Sequence, residues 1–349
     1  MSRRLQGHGI MTRILFQDFE EFADAINGLT GRFIPTARSE RGWYLQVTPV
    51  GQVPIQQVQI GGASTFAGSG SPGTLTLGIP CSTPDRIYID GESLDSNSLI
   101  LLEETKLFTF AAKQATIWGG ITLPLDHPLL EPQLLGSLST KLSKHRTTTR
   151  VQSELNAVTA AKLLVSRLCE DNAQGIELAG AATTMVAEEE IIMAAIRVLE
   201  SCSQTEPNHT GRHRIPRDHI IRKTLAAIET FAGQRLLIQD LCRATNVSER
   251  TLRNVFREYF GVGPMRLLKV RQLHEMRMAL TAADPDTHNV SNLALRFGIW
   301  NFDAFSRNYV ALYGETPSAT LRRPARIRDR RWKLNLTWIR YASQRFRDF

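Results

Sequence analysis

Apolar residues change their spacing twice along the chain. Between 12 and 29, Phe16, Phe19, Phe22 and Ile26 recur at three- and four-residue steps, the stripe of a short amphipathic helix. From about 32 to 125, short runs rich in Val, Ile, Thr and aromatics are broken by Gly, Pro and Asp-Gly. This pattern predicts strands over Trp43–Thr48, Ile55–Ile60, Thr74–Ile79, Arg86–Ile89, Ser98–Leu102, Leu107–Phe110 and Ala115–Leu123. Asp90-Gly91 reads as a turn, because both residue types accept positive φ. Many short strands at this spacing predict a barrel or sandwich. Helical periodicity then returns. Val151, Leu155, Val158, Val165 and Leu168 predict a helix over about 149–170, and Ile192, Ala195, Ile196 and Leu199 a second over about 184–202. The polar stretch Ser201–Arg217, with Pro207, Gly211 and Pro216, reads as a linker.

Beyond the linker the chain repeats itself. Residues 236–264, LLIQDLCRATNVSERTLRNVFREYFGVGP, align with residues 289–317, NVSNLALRFGIWNFDAFSRNYVALYGETP. Leu241, Asn246 and Val247 match Leu293, Gly298 and Ile299. After the turn, Leu252, Phe256, Phe260, Gly261 and Pro264 match Phe305, Tyr309, Tyr313, Gly314 and Pro317, and the second turn is one residue longer.

Each copy reads as helix, sharp turn, helix. The turn needs a residue at positive φ, and Asn246 and Gly298 are types that adopt it at small cost. Ser248 and Asn301 are placed to N-cap the following helix by accepting from its free N–H groups. That helix turns Leu252, Val255 and Phe256, or Phe305 and Tyr309, inward. It leaves Arg250, Arg253, Asn254 and Arg257, or Asp303, Ser306 and Arg307, outside. A helix so exposed fits the major groove of DNA and presents its N-terminal residues to base edges. Pro264 to about Thr281 reads as one linking helix, with Pro at its first turn. Its length of about 27 Å would hold two reading helices near one DNA turn apart, about 34 Å.

Charge sharpens this picture only partly. Residues 1–210 hold 16 Lys+Arg against 22 Asp+Glu, and residues 211–349 hold 26 against 12. A basic second half fits a polyanionic partner. Much of the excess, however, lies in the tail 322–349, which holds ten basic residues against two acidic ones. Four scattered cysteines without a Cys-x-x-Cys pair predict neither a zinc site nor a disulfide framework. Without a run of 18 apolar residues or a leader-like N-terminus, the expected location is cytoplasmic.

Residues 218–321 resemble the C-terminal domain of AraC/XylS-type transcription regulators. The most specific pieces are Asn246-Val247-Ser248 with Leu252 and Phe256, Gly261-Val262-Gly263-Pro264, and Ala294-Leu295-Arg296-Phe297-Gly298-Ile299 with Phe305-Ser306-Arg307 and Tyr309. The resemblance implies that Arg250, Arg253 and Asn254 face bases in the first unit, and Asp303, Ala304 and Arg307 in the second. This sequence departs from the family at Leu237, where a Ser or Thr cap is usual, and at Trp300 and Phe302, where small polar residues are usual.

The expected fold is therefore α+β. Residues 12–205 form a β-rich, jelly-roll or cupin-like sensor and dimerisation domain, and 206–217 a linker. Residues 218–321 form the double helix-turn-helix domain and 322–349 a basic tail. Double-stranded DNA is the expected partner, with a small-molecule effector, a homodimer partner and RNA polymerase as further candidates and no membrane. Trp43, Tyr44, Tyr88 and Trp118 are candidates to line an effector pocket. No cofactor, metal or catalytic constellation is expected, because none of the eight His falls between 32 and 125. Two alternatives stand beside this reading: a metal-dependent barrel enzyme carrying an accessory DNA-binding domain, and an architectural DNA binder without an effector.

Overall fold

The computed structural model describes residues 12–16, 19–26, 28–82, 86–104, 107–130, 150–173, 180–202, 217–230 and 237–323. Its N-terminal half is a sandwich of two antiparallel sheets. The strands are β1 (Thr12–Phe16), β2 (Leu29–Pro35), β3 (Trp43–Val50), β4 (Val53–Ile60), β5 (Ser64–Gly70), β6 (Thr74–Pro80), β7 (Ile87–Ile89), β8 (Glu92–Ser93), β9 (Ser98–Leu102), β10 (Phe108–Ala112), β11 (Thr116–Pro124) and β12 (Arg150–Gln152). One sheet has the order β1-β3-β4-β11-β6-β9-β12 and the other β2-β5-β10-β7-β8.

The period-2 alternation of a strand explains how both sheets are buried on two faces. On β9, Ile100 and Leu102 point between the sheets, where they meet Phe33, Phe66, Phe108, Phe110 and Trp118. Their neighbours Leu99 and Leu101 point to the opposite face. There two helices, α2 (Leu155–Ala173) and α3 (Ala181–Glu200), cover the seven-stranded sheet through Val158, Val165, Ile191, Ile192 and Val198. A run such as Ser98–Leu102, buried throughout, thus reads as continuous apolar sequence because each face has a helical or sheet partner.

Two sequence expectations are corrected at their edges. Thr12–Phe16 is strand, not helix: Thr12 pairs with Val47 and Phe16 with Trp43 on β3. Only Phe19–Ala25 is helical, as α1. Phe16 joins the aromatic core from a strand, packing edge-on to Phe22 at 5.7 Å, so its helical spacing from Phe19 was coincidental. Likewise Val151 lies in β12 opposite Leu99, and the following helix starts at Leu155. Asp90 and Gly91 both adopt positive φ, 49° and 82°, at the β7–β8 turn.

The C-terminal half is helical: α4 (Arg217–Thr230), α5 (Ile238–Thr245), α6 (Glu249–Phe260), α7 (Pro264–Ala282), α8 (Val290–Arg296), α9 (Phe302–Tyr313) and α10 (Pro317–Arg322). One core holds all seven, from Ile221 and Leu225 through Leu252, Phe256 and Met276 to Phe305 and Leu321. Ile34 and Ala67, on the outer face of the five-stranded sheet, belong to this core as well. The helical half therefore covers that sheet much as α2 and α3 cover the other. Residues 203–216, most of the expected linker, and 324–349, most of the expected tail, lie outside the described residues.

Candidate nucleic-acid interface

In the first unit, α5 ends at Asn246, which adopts the left-handed conformation (φ 55°, ψ 40°). Ser248 then caps α6, its hydroxyl accepting from the Thr251 N–H at 3.2 Å. Leu237 offers no side-chain cap to α5, but the end is held from the other direction. The Asp240 carboxylate accepts from the Leu237 N–H at 2.9 Å and is itself paired with Arg243.

The second unit repeats the device. Asn289 caps α8 by accepting from the Asn292 N–H at 2.8 Å, and Asn301 caps α9 by accepting from the Ala304 N–H at 2.9 Å. Gly298 supplies the positive φ, 69°. Left-handed glycines, Gly261 and Gly314, end α6 and α9, and Pro264 and Pro317 open the helices that follow.

Helix α6 buries Leu252, Val255, Phe256, Tyr259 and Phe260. Arg250, Arg253, Asn254 and Arg257 recur on its exposed side at three- and four-residue steps, so they share one face. Arg253 is held along the helix by Glu249, its Nε donating at 2.7 Å. Helix α9 buries Phe305, Tyr309 and Leu312 and exposes Asp303 and Arg307, with Ala304 half-buried between them. The structure thus groups the six candidate base-facing residues on two outward faces, three on each.

The 19-residue α7 joins the two units, and its length corresponds to about 28 Å. One of its buried residues is an arginine that sequence reasoning missed. Arg277 lies in the interior stripe beside Met276 and Leu280. It pairs with Glu315 and sits 4.7 Å from the Tyr313 ring centre. Glu315 also pairs with Arg323 at 2.7 Å, and the Tyr309 hydroxyl lies 2.8 Å from that of Thr320. Burial pushes the Tyr309 phenol up to about 12, so it stays neutral in this network. The one trace of Arg277's burial in the sequence is its spacing, seven, four and three residues from Val270, Leu273 and Leu280, which puts it on their face.

A second feature lies between the two sheets. A void of about 60 Å³ is lined by Ile26, Phe33, Val58, Phe66, Ile100, Phe108, Phe110 and Trp118, with Gln56 and Thr76 as polar neighbours and no charged side chain. The buried Trp118 indole N–H has no hydrogen-bond partner among the described residues. Of the four aromatics expected to line a pocket, Trp118 alone does so. Trp43 packs against Phe22 and donates to Ser39, Tyr44 lies under Arg13, and Tyr88 meets Lys113. Strand alternation sends Tyr44 and Tyr88 to the opposite face, whereas Trp43 faces the core between the sheets but stands outside the lining of the void.

Two capped helix-turn-helix units with outward second helices, joined by one rod, define a helix-turn-helix DNA-binding domain. A family model described as a helix-turn-helix domain matches residues 241–323. Over 103 residues the chain is 33% identical to the probable thc operon regulatory protein of Rhodococcus erythropolis, covering 30% of this chain and 31% of that protein. Over 129 residues it is 27% identical to the XylDLEGF operon transcriptional activator 3 of Pseudomonas putida, covering 37% and 38%. The C-terminal domain is of the AraC/XylS type. The chain spans about a third of the length of these curated relatives. A solved structure, described as the AraC-like transcriptional activator CuxR, matches at 13% identity with a TM-score of 0.41, covering 77% of this chain and 94% of that one.

Proposed function

We propose that this chain is a sequence-specific DNA-binding transcription regulator whose N-terminal sandwich senses a small molecule. The observation that carries the reading is the pair of outward faces on α6 and α9, fixed to one rod. Arg250, Arg253 and Asn254 then read bases in one major groove, and Asp303, Ala304 and Arg307 in the next. The relatives named as operon regulators and transcriptional activators support activation, for which RNA polymerase is the natural partner.

The small-molecule part rests on the void between the sheets. Its lining excludes an ionised ligand, because nothing there would compensate a buried charge. It favours a neutral, largely apolar molecule with one acceptor for the Trp118 indole N–H. At about 60 Å³ the void is smaller than the roughly 150 Å³ that receives benzene, so a ring-sized ligand would have to displace the walls. Such displacement would shift the population between two arrangements of the DNA-binding half. Residues 12–205 and 218–321 then act as separate sensing and DNA-reading units. Exposed Leu155 and Leu163 on α2, and Met185 and Val186 on α3, support a homodimer through these helices.

The test is in vitro selection of duplexes by the intact chain, followed by Arg253→Ala. Two protected major grooves about one turn apart are expected, and the substitution should cost about 1–3 kcal/mol at the selected site while relaxing preference at one or two base pairs. Equal loss on every sequence would assign Arg253 to phosphate, and indifference to sequence in the wild type would favour an architectural binder.

A further inference from the structure

The two helix-turn-helix units differ by one residue, and that residue is Trp300. In the first unit Asn246 takes the left-handed turn, Val247 turns inward and Ser248 caps α6. In the second, Gly298 takes the turn and Ile299 is buried, but Trp300 stands between it and the cap Asn301. Trp300 is 77% exposed, the most exposed of the large apolar side chains among the described residues. Leu237, Met265, Leu295 and Val310 of the same domain are also exposed, at 38–46%, but none is as open or as large as this ring, which offers a broad apolar surface to a partner. The place of Trp300 in the chain sets that surface at the start of α9. It immediately precedes the first turn of α9, the end of a reading helix that meets base edges.

The two reading faces also differ in charge. Helix α6 exposes Arg250, Arg253 and Arg257, whereas α9 exposes Arg307 with Asp303. The second unit therefore has less to offer phosphates or guanine acceptors, and more to offer an apolar group. In the major groove the one apolar group on a base edge is the thymine 5-methyl.

We propose that Trp300 is a specificity-determining residue of the second unit and reads thymine by packing its ring on the 5-methyl group. The proposal rests on the DNA-binding reading above. The ring stands at the mouth of the groove beside the α9 N-terminus and selects thymine at one or two positions of the second half-site.

The experiment replaces each thymine of the second half-site, in a duplex selected by the intact chain, with deoxyuridine, which lacks only the methyl. Affinities are measured for the wild type, Trp300→Ala and Trp300→Ser. One or two replacements should weaken the wild type about fourfold, the effect of losing one buried methyl. The same replacements should leave both variants unchanged. The variants should bind the thymine duplex about fourfold or more weakly and melt at the wild-type temperature, since the side chain is outside the core. A wild type indifferent to every replacement overturns the proposal. So does equal weakening of wild type and variants by the same replacement, which would give the methyl to another residue. Variants that bind like wild type also overturn it while leaving the DNA-binding reading intact. A wild type that selects no duplex overturns that reading itself.

Discussion

The rings of Phe19 and Tyr313 lie parallel, 6.2 Å apart and inclined by 7°. Phe19 belongs to α1 of the sandwich and Tyr313 to the last turn of α9. His274 of α7 packs on the same Phe19 ring at 5.3 Å. Two turns further along, Ile26 follows α1 and lines the void between the sheets. A second route runs through β10, where Phe110 faces the void and Ala111 lies on the other side against Gly261 at the end of α6. Nearby, Gly91 approaches Tyr259 so closely that a β-carbon would overlap the ring. Both helix-turn-helix units thus meet the sandwich through the C-terminal ends of their second helices. The N-terminal ends, which carry Arg250 and Asp303, stay exposed.

This docking predicts an energetic coupling between the halves. In a double-mutant cycle of Phe19→Ala and Tyr313→Ala, the interaction energy from denaturant unfolding should be about 0.5–1.5 kcal/mol, the usual value for an aromatic pair. Strict additivity would mean that the two halves do not rest on each other in solution.

A larger loss is expected at Arg277. Its side chain is 6% exposed and Glu315 is 16% exposed, so removing the cation leaves a mostly buried carboxylate short of a partner. Arg277→Ala should cost about 3–5 kcal/mol. Removing both charges with Arg277→Met and Glu315→Gln should recover much of that, because the uncompensated charge is gone. The cost of the single variant should be smaller than the simple rule implies if Arg323, also bonded to Glu315, takes over. Thermal unfolding of Arg277→Ala, of the double variant and of Arg323→Ala separates these contributions.

The helical half was largely legible because its signals are local. A cap, a left-handed residue and an apolar stripe each act within a few residues, so Asn246, Ser248, Gly298 and Asn301 sit where the pattern put them. The sandwich was legible as a set of strands but not as an arrangement. Strand β5, STFAGSG, escaped because Gly, Ser and Ala carry no β signal; its pairing with β2 and β10 is set by tertiary contact. The docking of the halves was illegible for a similar reason. Ile34 and Ala67 alternate outward on their strands, where they read as ordinary sheet residues, and their partners lie some two hundred residues away. Arg277 was hidden by its type, since arginine in a helix reads as surface until the opposing Glu315 is known.

Gly298 offers a test of backbone conformation free of packing effects. A β-carbon there would meet nothing within 4 Å, so a substitution is penalised through its φ of 69° alone. Gly298→Ala should therefore cost about 1–2 kcal/mol, the left-handed penalty. Gly298→Asn should cost less, because asparagine tolerates this region and occupies the matching position in the first unit. Gly298→Val should cost most and displace α9, seen as loss of the second protected groove. Equal melting temperatures for Ala, Asn and Val variants would refute the assigned turn.

The last prediction concerns Cys169, which lies on α2 and is 1% exposed. Burial against the seven-stranded sheet pushes its thiol up to about 11 from an ordinary value of 9, with a Thr48 hydrogen bond opposing the shift and the neighbouring Cys81 adding to it. A folded value above the unfolded one means that the native state holds its proton longer. The associated stability is complete below pH 9 and is lost as pH rises from about 9 to about 11, where the unfolded chain ionises and the native thiol does not. A rise from 9 to about 11 corresponds to about 3 kcal/mol at most. Cys169→Ala removes this dependence but leaves the other titrating groups in place. The guanidinium midpoints of wild type and variant should therefore run at a fixed separation up to pH 8 and then converge toward pH 11. The thiolate is also the reactive species, so at pH 8 Cys169 should resist alkylation in the folded chain while the half-buried Cys202 reacts faster. A constant separation across the whole range would show that Cys169 ionises as freely in the native protein as in the unfolded chain, and that α2 does not seal it against the sheet.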